Sequence, residues 1–286
     1  MVAKLTHTFL FSKLNEQILH IVYYALLFFT FAFNILKMRF FIDISYDGTN
    51  YHGWQVQPNA DTVQNHINNA ISTILNQKIN VVGAGRTDTG VHAQQLIAHF
   101  DIQHNFDIQK IKYKLNGFLN NDISINNIYA VKDDAHARFS ALSRTYQYKI
   151  SRSKDPFSNQ SFLLKRNIDI ESMNKACEFL IGENDYSAFA KLHSDNYTNN
   201  CNIFYAKWHE EKQQIFFTIK ANRFLRNMVR SIVGTMIEIG DGKIKFDKIK
   251  DIILSKDRSN AGYSVPAIGL SLISVEYSKE ILDGGN

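Results

Sequence analysis

An α+β fold, built as two halves that share one extended mixed and largely antiparallel sheet, is what this sequence predicts, and three observations carry it. Short apolar runs with strand-like alternation recur along the chain between segments of helical periodicity. The halves, residues 38–142 and 143–286, mix strands and helices in similar proportion. No Pro-, Gly- or Ser-rich linker separates them, so a cleft at their junction is the first place to look for a site.

In the first half, Arg39 to Tyr46 alternates only in part, as a strand covered on both faces does. A turn follows at Asp47-Gly48-Thr49-Asn50, and Asp61-Thr62 then introduces the helical stripe Val63, Ile67, Ala70, Ile71 and Ile74. Ile79 to Ala84 reads as a short strand, followed by a strand near Ile97 to Phe100, a helix from Ile108 to Leu119 and a strand near Ile125 to Val131.

The second half opens on a strand, Arg144 to Ser151, with Arg144, Tyr146, Tyr148 and Ile150 on one face. A helix from Glu171 is expected to end at Gly182 as its C′ residue. Strands are expected near Ile203 to His209 and Ile215 to Ile219. The strongest helical pattern runs from Asn222 to Ile239, with Leu225, Met228, Val229, Ile232, Val233 and Met236 as its apolar face. A short helix near Asp247 to Leu254 and a strand from Leu270 to Tyr277 close the chain.

Composition bounds the function. With 45% hydrophobic residues, 21% charged and 3 prolines in 286 residues, the chain is neither disordered nor low-complexity. Two cysteines, Cys177 and Cys201, exclude a disulfide scaffold and fit a reducing, cytoplasmic setting. The ten histidines show no HExxH or Cys-His spacing, so no metal site is expected. The net charge of +5 mildly favours an acidic partner.

Residues 1–37 stand apart. Ile18 to Leu36 carries no formal charge over 19 residues, enough for a membrane helix at 18–36. The segment is equally what AT-rich DNA encodes when an untranslated leader is read in frame, and Met38 stands directly before RFFIDISYDG. The expectation is an N-terminal extension from a mis-assigned start, with a membrane segment as the alternative.

Chemistry concentrates in Gly83-Ala84-Gly85-Arg86-Thr87-Asp88-Thr89-Gly90-Val91-His92. Glycines after an apolar strand permit tight turning and close ligand approach, but the Lys-Ser/Thr of a phosphate loop and the GxGxxG spacing are both missing. Two readings stay open on the residues alone. One is an Asx-turn with a structural Arg–Asp pair; the other is Asp88 as nucleophile or general base. Arg223, Arg226 and Arg230 at i, i+3 and i+7 fall within about 60° of helical arc, a basic stripe suited to phosphate or carboxylate. Arg138, Arg144 and Arg152, interleaved with Tyr146 and Tyr148, form a second basic and aromatic segment of the kind that stacks on bases, although Tyr148 reads better as cross-strand packing. His92 and His136 read as structural hydrogen-bonding residues.

At GRTDTGVHA the sequence resembles the bacterial tRNA pseudouridine synthase A (TruA) family. The segments YDGTNYHGWQ (Tyr46 to Gln55), TVQ (Thr62 to Gln64), HARFSA (His136 to Ala141), RTYQY (Arg144 to Tyr148), LIGENDYSAF (Leu180 to Phe189), NRFLRNMVRSIVGTM (Asn222 to Met236) and GLSLISVEY (Gly269 to Tyr277) continue the match in order. It spans Met38 to Tyr277 and none of the first 37 residues. Thr89 stands where alanine is common, and Asn121 where proline is usual.

The resemblance implies the pseudouridine synthase fold with a central RNA-binding cleft. The implied reaction is isomerisation of uridine to pseudouridine in the tRNA anticodon stem-loop at positions 38, 39 and 40, by a homodimer that needs no cofactor and no metal. It implies Asp88 as the catalytic carboxylate, kept charged by a neighbouring cation for which Arg230 is the candidate. Tyr146 is implied to pack against the target base, Arg86 to hold the flipped nucleotide, and Leu270 and Leu272 to line the pocket. The competing class is a non-catalytic RNA-binding protein with the same basic cleft.

Overall fold

A computed structural model of the chain describes residues 20–24, 38–103, 105–156, 159–191 and 197–282. The chain divides into two units, Met1–Met38 with Asp101–Phe106, and Arg39–Phe100 with Asp107–Asn286. In the first, residues 20–24 are helical and exposed; the rest of the predicted membrane segment lies outside the described residues. Among the described residues no helix is long and apolar enough to cross a membrane.

The strands are β1 (Met38–Tyr46), β2 (Val82–Gly83), β3 (His92–Ile102), β4 (Ile123–Val131), β5 (Ala141–Ser151), β6 (Phe162–Leu163), β7 (Gly182–Asp185), β8 (Asn200–Glu211), β9 (Gln214–Ala221) and β10 (Leu270–Tyr277). The helices are α1 (Val63–Leu75), α2 (Ile108–Phe118), α3 (Ile170–Glu178), α4 (Met228–Gly240), α5 (Lys248–Ser255) and α6 (Lys279–Leu282). All the strands belong to one sheet in the order β4-β1-β3-β10-β5-β9-β8-β7, with β2 paired to β3 and β6 to β5. The α+β architecture with a shared sheet is therefore observed. β10, the last strand, lies between β3 and β5 and joins the halves, parallel to β3 and antiparallel to β5.

Local chemistry explains most boundaries. β1 is buried on both faces, with Phe40, Phe41 and Ile42 all in the core and Phe40 stacked on Phe100. Asp107 caps α2 by accepting from Lys110 N–H, and Asp169 caps α3 by accepting from Glu171 and Ser172 N–H. The core of the second half gathers Tyr148, Ile150, Met173, Phe189, Trp208, Phe217, Ile232 and Met236.

Three elements differ from the sequence prediction. The strand expected from Ile79 to Ala84 is only β2, because α1 side chains take the backbone groups a neighbouring strand would use. Asn68 Oδ1 accepts from Val81 N–H at 2.9 Å, Ser72 Oγ accepts from Ile79 N–H at 2.9 Å, and Gln64 Nε2 donates to Val81 O at 2.7 Å. The helix expected to run to Gly182 stops at Glu178; Gly182, with φ +99°, opens β7 and pairs with Ile203. The helix expected from Asn222 begins only at Met228. Asn222 is tied to β8 through Asn202, and Asn227 adopts a left-handed φ of +68° that a continuing helix forbids.

Candidate active site

The loop between β2 and β3 turns on chemistry written into its sequence. Val91 N–H donates to Asp88 O at 3.1 Å, closing a β-turn whose third position, Gly90, has φ +77°. The turn leaves the Asp88 side chain 27% exposed. Residues 46–54 pack against this loop: Trp54 N–H donates to Thr87 O, Gly90 N–H to Tyr51 O, and Tyr46 Oη lies 2.8 Å from Thr87 Oγ1. A Cβ on Gly53, itself at φ +87°, would stand 2.4 Å from Thr87 O, so glycine is what allows the two backbones to touch.

Two guanidinium groups face the Asp88 carboxylate. Arg226 Nε is 3.7 Å from Oδ1 and Arg230 Nη1 is 3.6 Å from Oδ2. Their supports differ. Arg226 is 62% exposed and lies on the irregular segment before α4. Arg230 is 21% exposed, and its Nε donates to Val265 O at 2.8 Å while Val265 N–H donates to Arg230 O at 3.2 Å. The segment carrying Val265 runs directly over α4. A Cβ on Gly234 would fall 1.7 Å from Tyr263 O, and Gly262 N–H donates to Thr235 Oγ1.

Tyr146 lies on β5, half-buried, with Phe224 edge-on at 5.2 Å and 88°. Burial pushes its phenol up to about 12, with the nearby Asp88 charge adding to the rise and Arg144 opposing it. Leu272 pairs with Tyr146 and Leu270 with Tyr148 in the β10–β5 register, and both leucines are buried. Arg86 is exposed and has no ion pair or side-chain hydrogen bond among the described residues. The structure thus gathers Asp88, Arg230 and Tyr146, adds Arg226, and leaves Arg86 on the rim of the same loop.

Other sequence-marked residues do different work. The Arg–Asp pair of the purely structural reading does not involve Arg86, since the cations beside Asp88 come from residues 226 and 230. Arg223, Arg226 and Arg230 are not one helical stripe, because only Arg230 lies within α4, and α4 buries Ser231, Gly234 and Thr235 as well as its apolar face. Arg144 does not grip phosphate: its guanidinium donates to the carbonyls of Ala141, Asn222, Ala84 and Arg138. Arg152 is bound to Glu210 and Asn167. Tyr148 is fully buried and its hydroxyl donates to Pro266 O. His92 Nε2 bonds Ile268 O, and its Nδ1 accepts from Gly48 N–H with Asp47 Oδ1 at 2.9 Å, a structural role; His136 Nδ1 accepts from Arg138 N–H. Sequence reasoning missed Tyr46, Thr87 and Phe224 as parts of the site. All three lie within the quoted motifs, which was their only local signal and did not assign them a part in the site.

Among the described residues, no group of three or more His, Cys, Asp or Glu could hold a metal ion. What remains is a partly exposed carboxylate backed by two arginines and flanked by a phenol, an arrangement suited to acting as nucleophile or base on a substrate that brings its own electrophile.

Comparison with known proteins shows which family the chain resembles over most of its length. The family model described as tRNA pseudouridine synthase matches residues 43–140 and 176–278. The chain is 46% identical over 248 residues to tRNA pseudouridine synthase A of Bacteroides fragilis, covering 86% of this chain and 98% of that protein. It is 48% identical over 249 residues to the protein of the same name from Porphyromonas gingivalis, covering 85% and 98%. With that of Thermoanaerobacter pseudethanolicus it shares 41% identity over 239 residues, covering 82% and 98%.

Proposed function

The chain belongs to the tRNA pseudouridine synthase family and is an isomerase acting on tRNA uridine, and from that premise we propose that it forms pseudouridine in the anticodon stem-loop, at positions 38, 39 and 40, with Asp88 as the catalytic carboxylate. One observation carries the residue assignment: Asp88 is held on a tight turn between Arg226 and Arg230, with Tyr146 close enough to feel its charge.

The reaction breaks the C1′–N1 bond of uridine, turns the base, forms C1′–C5, releases the C5 hydrogen as a proton and takes up a proton at N1, so atoms and charge balance. No electrons enter or leave, so the chemistry calls for no redox cofactor. Attack on the base, attack on C1′ and removal of a ribose proton all use a carboxylate oxygen aimed at the nucleotide, and Arg226 and Arg230 face the two oxygens of Asp88. Arg230 is the fixed partner, anchored to Val265. Tyr146 supplies an aromatic surface for the target base, and its raised phenol stays protonated at neutral pH, so it can also donate a hydrogen bond. Arg86, exposed on the loop that carries Asp88, is placed to hold a nucleotide flipped out of its stack. Leu270 and Leu272, buried cross-strand partners of Tyr148 and Tyr146, are read as lining the pocket beside them.

The reading includes a homodimer and a cytoplasmic location. The first is what the sequence resemblance to the family implies. The second is supported by Cys177 and Cys201, both buried and free, with thiols that burial pushes up to about 12 and about 11.

Asp88→Asn is expected to reduce tritium release from tRNA carrying 5-tritiated uridine to trace levels, with tRNA affinity within about threefold of wild type. Substantial turnover by that variant would sink the catalytic assignment. A pseudouridine map of tRNA from cells with and without the gene tests the positions: signals lost elsewhere than 38–40 would overturn the anticodon assignment.

A further inference from the structure

Residue 87 is held from two sides by the segment that follows β1. Its carbonyl accepts from Trp54 N–H at 3.3 Å, and its Oγ1 lies 2.8 Å from Tyr46 Oη. Both Tyr46 and Thr87 are buried, and Thr87 is the only hydrogen-bond partner of the Tyr46 hydroxyl among the described residues. The Tyr46 ring is packed against Trp54, stacked with centroids 6.2 Å apart and 27° between planes. Trp54 in turn abuts Gly83, where a Cβ would meet its Nε1 at 2.5 Å. Around the turn the same segment touches again: a Cβ on Gly48 would stand 2.0 Å from Val91 O, and Gly90 N–H donates to Tyr51 O. Of these links, the Tyr46–Thr87 pair is the one between side chains, and it ends one peptide unit before Asp88.

We propose that Tyr46 is a positioning residue for the isomerisation: its hydroxyl, acting through Thr87, sets the direction in which Asp88 presents its carboxylate to the target nucleotide. This rests on the reading of Asp88 as the catalytic carboxylate. Burial pushes the Tyr46 phenol well above its ordinary value, so the hydroxyl keeps its proton and the link persists throughout the working pH range. Losing either hydroxyl strands the other in a buried site and frees the Thr87 side chain to rotate. A reacting group displaced by about 1 Å can cost about 100-fold in rate.

The test is kinetic and uses the full chain with unmodified tRNA. Tyr46→Phe and Thr87→Val are each expected to lower kcat by about 10- to 100-fold, with KM within about threefold of wild type. Thr87→Ser, which keeps the hydroxyl, is expected to recover kcat to within about threefold, a rescue that packing alone would not produce. The double variant Tyr46→Phe/Thr87→Val is expected to be no slower than the slower single, since both remove one link. A Tyr46→Phe enzyme with kcat within about twofold of wild type overturns the proposal, as do losses that multiply in the double variant or a Thr87→Ser no faster than Thr87→Val. If Tyr46→Phe fails to fold, the Thr87→Val and Thr87→Ser pair decides alone. Asp88→Asn assayed alongside separates two failures. Inactive Asp88→Asn with fully active Tyr46→Phe removes only the positioning role, whereas active Asp88→Asn removes both assignments.

Discussion

At the scale of single residues, the two arginines at Asp88 are not equivalent. Arg226 is 62% exposed and 3.7 Å from the carboxylate, a geometry in which an ion pair is worth at most about 1 kcal/mol. It is free to leave Asp88 for an RNA phosphate. Arg230 is tethered to Val265 and cannot. Arg230→Gln is therefore expected to lower kcat about 100-fold or more. Arg226→Gln should mainly raise KM and flatten the dependence of tRNA binding on log salt by about one unit of slope. Steady-state kinetics at two salt concentrations distinguish them. The loop bearing Asp88 was legible in the sequence as its densest polar segment, but the residues alone left both a structural and a catalytic reading of Asp88 open. The partners were less so: Tyr46 and Thr87 are 41 residues apart, and nothing local to either predicts their contact.

At the scale of elements, α4 and the segment crossing it decide where Arg230 points. Gly234 is the contact that lets the crossing segment lie flat, with Tyr263 O where a Cβ would be. Gly234→Ala is expected to destabilise by roughly 1–3 kcal/mol, seen as a lower thermal midpoint by circular dichroism, and to reduce turnover because Val265 moves with Tyr263. The apolar periodicity from Leu225 to Met236 correctly marked this helix but placed its start too early. Periodicity reports which side chains are buried, and Leu225 is buried without being helical. For the same reason Arg223 and Arg226 read as a stripe with Arg230, when the left-handed Asn227 separates them from it. The misreading of Arg144 has another cause: a guanidinium that satisfies backbone carbonyls looks, in sequence, the same as one that waits for phosphate.

For the whole molecule, the response to acid follows from carboxylates held by their neighbours. The hydrogen bond from Arg166 lowers Asp241, that from Ser172 lowers Asp169, and that from Lys220 lowers Glu276. Groups depressed in the folded state contribute stability that is present above their ordinary values, 3.8 for the aspartates and 4.5 for Glu276, and is lost as pH falls through the folded values. The urea midpoint is expected to be flat in this respect from neutral pH to about 5 and to fall steeply below about 4; a midpoint unchanged at pH 3 would contradict it. By itself the sequence determined the α+β class, most strands, the helical cores and the loop bearing Asp88, because burial patterns and turn glycines are local in the chain. Only the tertiary structure decided that β10 lies between β3 and β5, that two arginines from the segment 226–230 converge on Asp88, and that Tyr46 reaches Thr87. Those facts depend on which elements become neighbours, and neighbourhood across tens of residues is set by packing the whole sheet, not by any local preference.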